Sequence, residues 1–118
     1  ALYLGYAHEK LGQNDRAEDA YRHALNLRPD SPRALLRLST VLIRRKRYNE
    51  AQSFLESLTS KYPDYAVAWW NLGVLHRKLD QPKQAQQAWE RALQVEPDNE
   101  RIRSALMKLS VQLESVSE

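Results

Sequence analysis

Residues 66–99 read AVAWWNLGVLHRKLDQPKQAQQAWERALQVEPDN, and sliding this stretch back by 34 positions lays it on residues 32–65. A second step of 34 lays it on the residues before those. Pro97, Pro63 and Pro29 coincide, each followed by Asp, while Ala85 falls on Ala51 and Ala17, Leu72 on Leu38 and Leu4, and Gly73 on Ser39 and Gly5. A fixed period of this length is the signature of a stacked array, in which each unit buries its apolar face only against its neighbours.

Within the repeat, apolar residues recur at three- and four-residue steps, so every unit reads as two helices. The first unit, residues 1–31, has a helix around Leu4, Ala7, His8 and Leu11 that Gly12 stops. Its second helix opens at Asp15, taken as an N-cap with Glu18 in capping-box spacing, and buries Ala17, Ala20, Tyr21, Ala24 and Leu25. Residues 32–65 start on Ser31–Pro32, a cap followed by a proline suited to the first turn. They bury Leu35, Leu38 and Leu42, turn at Arg44–Arg47, and resume after the candidate cap Asn49 with Ala51, Phe54, Leu55 and Leu58. Residues 66–99 bury Trp69, Leu72, Leu75 and His76, turn around Asp80, Gln81 and Pro82, and then bury Ala85, Ala88, Trp89, Ala92 and Leu93. Residues 100–118 read as a capping helix with Ile102, Ala105, Leu106, Leu109 and Leu113 on one side and a fraying end from Glu114. The whole is expected to be one all-α domain.

With 118 residues, 42% hydrophobic and 28% charged, the chain has a globular and helical composition, and no apolar run reaches the roughly 20 residues that span a bilayer. Membrane insertion is not expected. No cysteine is present, so disulfides and thiolate metal sites are absent; this does not separate a reducing cytosol from a periplasm, and the compartment is left unknown, with the cytoplasm slightly favoured and the periplasm an alternative. The chain begins at Ala1, partway through the first helix, which suggests a piece of a longer protein. The net charge of +3 is uneven: residues 32–65 carry seven basic side chains against three acidic ones. That excess suits an acidic partner and is small for general nucleic-acid binding, which neutralises several phosphates at once.

The register Trp69, Leu72, Gly73, His76, Ala85, Trp89, Pro97 resembles the tetratricopeptide repeat, whose pattern is W-x2-L-G-x2-Y, A-x3-F and P. Leu4, Gly5, His8, Ala17, Tyr21, Ala24 and Pro29 carry it in the first unit, and Leu35, Leu38, Ser39, Leu42, Ala51, Leu55, Leu58 and Pro63 in the second. His8, Leu42 and His76 depart from the usual Tyr, Ser39 from Gly and Leu58 from Ala, which implies local repacking in the second unit. The resemblance implies antiparallel helix pairs stacked into a right-handed superhelical α-solenoid, with the first helix of each pair lining a concave groove that binds peptides or partner helices.

The groove residues are then those on the side of each first helix away from its partner. They are Leu2, Tyr6, Glu9 and Lys10; Arg33, Leu36, Arg37, Thr40, Ile43 and Arg44; Val67, Trp70, Asn71, Val74, Arg77 and Lys78; and Arg101, Ser104 and Lys108. An apolar floor (Tyr6, Leu36, Ile43, Val67, Trp70, Val74) within a basic lining suits an acidic, partly apolar peptide or helix. Trp69 reads as core and Trp70 as a binding anchor whose truncation leaves stability little changed. The plainer reading has Trp70 packing on Thr40 and Leu36 to join two repeats. The family's carboxylate clamp for chaperone C-termini is not intact, since Leu2 and Tyr6 occupy its first Lys and Asn places and Asn71 alone does not restore it.

Two other function classes stay in view. The apolar surface of Leu4, Ala7 and Tyr21 in the incomplete first unit would suit homo-oligomerisation, and the basic second repeat a nucleic acid. Arg44–Arg47 lacks interleaved aromatics and reads as a solvated, helix-ending turn. His8 and His76 occupy equivalent repeat positions, a structural arrangement rather than metal ligation, and His23 reads as exposed. There is no nucleophile with its base, no phosphate loop and no convergent carboxylate pair, so neither catalysis nor a cofactor is expected of this segment.

Overall fold

The computed structural model describes residues 2–117, with side chains through Ser115. The described residues form α-helices and no strand: α1 Leu2–Lys10, α2 Asn14–Leu27, α3 Pro32–Arg44, α4 Tyr48–Lys61, α5 Ala66–Lys78, α6 Pro82–Val95 and α7 Glu100–Ser117. They divide into two compact units, α1–α4 within Ala1–Lys61 and α5–α7 within Tyr62–Glu118. In each unit every helix packs on the next one in the chain, α1 on α2, α2 on α3 and α3 on α4, then α5 on α6 and α6 on α7. The connections are short, so successive helices run antiparallel.

The helix starts refine the sequence reading. Ser31 caps α3, its hydroxyl accepting from the Ala34 N–H at 3.3 Å, with Pro32 in the first turn. Asp15 is not an N-cap: α2 begins at Asn14 behind Gln13, which makes no side-chain cap bond, and Asp15 sits in the first turn where its charge favours the helix dipole. Asn49 is likewise inside α4, which opens at Tyr48. Asn99 supplies a cap the sequence reading missed, its side-chain oxygen accepting from the Ile102 N–H at 3.2 Å. The end expected to fray from Glu114 continues as helix to Ser117.

The first helix of each pair ends in the same way. Gly12, Lys46 and Asp80, spaced by the repeat, take φ of +74°, +63° and +58°. The next residue's N–H returns to a carbonyl five residues back, as in Gln13 to His8, Arg47 to Leu42 and Gln81 to His76 at 2.8–2.9 Å. This is a Schellman closure, in which the left-handed residue lets the backbone satisfy the last carbonyls. Only the first of the three is glycine. Lys46→Gly should therefore raise the urea midpoint by about 0.5–1 kcal/mol of stability with an unchanged m-value.

Side-chain burial follows the repeat. Ala17, Tyr21, Leu38, Leu42, Ala51, Leu55 and Leu58 are fully buried in the first unit, and Leu75, Ala85 and Ala92 in the second, where Trp89 is 2% exposed. Leu4 and Leu11, by contrast, are 56% and 72% exposed. The surface expected from Leu4, Ala7 and Tyr21 thus lacks Tyr21, which is covered by α1.

Close approach explains that burial. A Cβ at Gly5 would stand 2.2 Å from the Tyr21 ring, and a Cβ at Gly73 only 2.1 Å from Trp89 Nε1. The aromatic sixteen residues downstream fills the space the missing side chain leaves. In the second repeat Ser39 takes the glycine place, and Leu55, smaller than Tyr or Trp, stands opposite in register. Ser39 is fully buried with its hydroxyl donating to the Leu36 carbonyl at 2.7 Å.

Candidate functional site

Trp70 and Trp89 build the centre of the second unit. Their rings stack at 4.9 Å with an interplanar angle of 17°, and Trp89 Nε1 donates to the Trp70 carbonyl at 3.0 Å. Gly73, one helical turn after Trp70, is what admits Trp89 this close to α5. From α7, the Arg101 guanidinium carbon lies 4.8 Å from the Trp70 ring centroid. A cation over an indole is attracted by the ring quadrupole and held in orientation by it. The three groups form one column running from α7 through α5 to α6.

The column borders a depression of about 590 Å³ between α5 and α7. Val74 and Ala105 add apolar lining, and Arg77, Lys78, Ser104 and Lys108 complete it. Among the described residues, no carboxylate lines it. Among the described residues, Arg77, Lys78, Arg101 and Lys108 make no ion pair, and all four are exposed. Seven residues expected on sequence grounds to face a partner therefore meet at one place: Trp70, Val74, Arg77, Lys78, Arg101, Ser104 and Lys108. Trp89 and Ala105 were read only as core, and they also line it. Val67 is 42% exposed and, like half-buried Asn71, lies outside the lining.

Trp70 is half-buried, with its ring stacked on Trp89 of its own helix pair. Trp69, expected in the core, is also only half-buried. Its Nε1 donates to the Pro63 carbonyl at 2.8 Å and Arg91 lies over its ring at 5.1 Å.

The first unit has a related column. Tyr6 meets Tyr21 edge-on at 6.3 Å, Arg37 lies 4.4 Å over the Tyr6 ring, and Arg33 Nη2 donates to the Tyr6 hydroxyl at 3.2 Å. Burial would raise the Tyr6 phenol, but hydrogen bonds and charge from Arg33 and Arg37 outweigh it and hold the phenol below its ordinary value. Tyr21 is displaced the other way, raised by burial and by the Glu9 carboxylate to which its hydroxyl donates. Arg44 also engages Glu9, at 2.5 Å, and Thr40 bonds the Leu36 carbonyl at 3.0 Å. Leu36 is half-buried, and Ile43, expected on a groove floor, is only 8% exposed.

The basic run is the solvated, helix-ending turn expected of it, and three of its arginines are also ion-paired. Glu18, 5% exposed, accepts from Arg22 at 2.9 Å, from Arg45 at 2.7 Å and from Arg47 at 2.7 and 2.9 Å. Glu50 takes the remaining donors of Arg22 and Arg47 at 2.7 and 2.5 Å. The network ties α2 to the α3–α4 turn and to α4. Burial opposes the charge of Glu18, but Arg22 and Arg47 overcome it and lower its carboxyl below the ordinary range. The positive excess counted in residues 32–65 is thus largely matched by acids within the first unit.

Residues 3–96 match the family described as the middle TPR-like domain of cilia and flagella-associated protein 70. The human protein O-mannosyl-transferase TMTC1 is 29% identical over 90% of the chain, and the chain spans 12% of that protein's length. The first TPR of Spaghetti (RPAP3) bound to the HSP90 peptide SRMEEVD superposes with a TM-score of 0.89 at 25% identity, covering 95% of this chain and 89% of that one. The Sgt2 TPR domain from Aspergillus fumigatus gives 0.91 at 22% identity over 98% and 78% of the two chains, a likeness of fold.

Proposed function

The chain belongs to the tetratricopeptide-repeat family, an all-α solenoid fold of protein-interaction scaffolds, and from that premise we propose that it grips an acidic, partly apolar peptide in the depression between α5 and α7. The observation that carries this reading is the set of four unpaired cations, Arg77, Lys78, Arg101 and Lys108, around an apolar lining of Trp70, Val74 and Ala105. Unpaired cations attract an acidic chain and lose little desolvation energy to internal partners, while the apolar lining rewards burial of a flanking side chain. The RPAP3 domain with its bound acidic peptide supports the choice of partner. The family's carboxylate clamp is not the means of binding, because Leu2 and Tyr6 occupy its first Lys and Asn places in this chain.

The basic second repeat offers less to a nucleic acid than its composition suggests, since Arg44, Arg45 and Arg47 are ion-paired to Glu9, Glu18 and Glu50. Reversing two exposed cations, Lys78→Glu with Lys108→Glu, should weaken an acidic amphipathic peptide by roughly tenfold or more. Wild-type affinity should fall with salt, and urea stability should stay within about 0.5 kcal/mol because neither lysine is packed. Fluorescence anisotropy with a labelled peptide reads the first two effects. Unchanged affinity in the double variant would remove the depression as the binding site.

A further inference from the structure

Helices α5 and α7 begin one repeat period apart, at Ala66 and Glu100, but α7 has 18 residues against 13 in α5. Its last turns therefore reach past the end of α5 to the α5–α6 turn. There a second depression of about 480 Å³ opens, with Pro82, Leu109, Val111 and Leu113 as its apolar lining. Leu109 belongs to the core and Leu113 packs against it, whereas Val111 is 57% exposed.

The second depression continues the first. Arg77 lines both, and on α7 Lys108 of the first is followed by Gln112 and Ser115 of the second, at four- and three-residue steps that keep them on one side of the helix. The charge changes at the junction. The first depression has four cations and, among the described residues, no carboxylate; the second has Arg77 on its border and Asp80 in its lining. A ligand carboxylate placed beyond Arg77 meets Asp80 and is repelled, while an uncharged apolar side chain in the same place removes Pro82, Val111 and Leu113 from water.

From this we infer a second, apolar subsite for the same ligand, an inference that rests on the acidic-peptide reading above. The α5–α6 turn and the end of α7 take an uncharged apolar segment contiguous with the acidic one, and Arg77 marks the boundary. The occupant is a peptide whose acidic run gives way to Leu-, Ile- or Phe-type residues. Asp80 acts as the selective element, since it opposes a ligand that stays acidic along its whole length.

Acetylated and amidated peptides with the same short Glu run, flanked on both sides by Leu, by Ser or by further Glu, test this in titration calorimetry against the whole chain. Flanks on both sides serve either chain direction. The Leu-flanked peptide should bind roughly three- to tenfold tighter than the Ser-flanked one, because apolar surface leaves water at the subsite. Val111→Asn, an exposed change between residues of similar helix propensity, should remove most of that gain while leaving Ser-flanked binding and urea unfolding as they were. Asp80→Asn, with a residue that tolerates the left-handed backbone at this position, should strengthen the Glu-flanked peptide by about twofold or more relative to the Ser-flanked one. Equal affinity of Leu- and Ser-flanked peptides overturns the apolar subsite and leaves acidic-peptide recognition standing. A Leu gain that survives Val111→Asn overturns its assignment to the end of α7, and an equal response of Glu- and Ser-flanked peptides to Asp80→Asn overturns Asp80 as the selective element. Failure of every peptide to bind overturns both readings.

Discussion

Gly73→Ala is expected to destabilise the second unit by about 2 kcal/mol, although alanine improves an ordinary helix interior by nearly 1 kcal/mol. The sign is decided by Trp89. The added methyl would lie 2.1 Å from the indole nitrogen, and that ring cannot retreat freely because it stacks on Trp70 and donates to the Trp70 carbonyl. Urea unfolding followed by tryptophan fluorescence measures the loss. Trp89→Leu alone should cost about 2–3 kcal/mol by removing buried ring surface. The double variant should cost less than the sum of the two, because a small residue with Leu is the combination Ser39 and Leu55 use in the second repeat. Simple additivity would show that the two positions are not coupled. Acidic-peptide affinity should fall in parallel, since displacing Trp89 moves the ring that carries Arg101.

Glu18→Ala should cost the first unit about 2–3 kcal/mol, less than a fully buried ion pair because its arginine partners remain over a third exposed. Removing the carboxylate leaves Arg22, Arg45 and Arg47 crowded without a central counter-charge. Glu18→Gln separates charge from packing, and it should lose most of the same amount. The effect has a definite pH dependence. The native carboxyl is lowered, so its contribution is complete above the ordinary carboxylate range and disappears as pH falls below that range through the native value. The stability gap between wild type and Glu18→Gln should therefore be widest near neutrality and close in strong acid. A gap that persists unchanged in acid would mean that the network acts through shape and not through charge.

Much of the fold was legible in the sequence because it repeats local physics. Period, proline positions and apolar steps located every helix, since each needs only its chain neighbour to bury its stripe. Where the reading missed, the missing information was three-dimensional. Asp15 and Asn49 are residue types that cap helices, yet backbone geometry began those helices one position earlier. Glu18 has capping-box spacing, but three guanidiniums from α2 and the α3–α4 turn bind it more strongly than a backbone N–H would.

The site was half visible for the same reason. Helical spacing indicated that Trp70, Val74, Arg77 and Lys78 share a side of α5, and the α7 residues followed by register. Charge counting misled, because the arginine-rich repeat spends its cations on its own acids and the unpaired ones lie in a stretch that counts as neutral. Trp89 was assigned to packing alone; the sixteen-residue spacing from Gly73, matched by Gly5 and Tyr21, was the signal that it reaches α5 and borders the depression.

The neighbour-on-neighbour packing of the helices also bears on how the chain acquires its structure. Within each unit, contacts form between segments joined by turns of a few residues, so little loop-closure entropy must be lost before contacts form. Low contact order of this kind places folding on the microsecond-to-millisecond scale and leaves no slow pairing of distant strands during which apolar surface stays open. The Schellman turns reverse the chain so that Gly5 and Gly73 each meet the aromatic ring sixteen residues ahead.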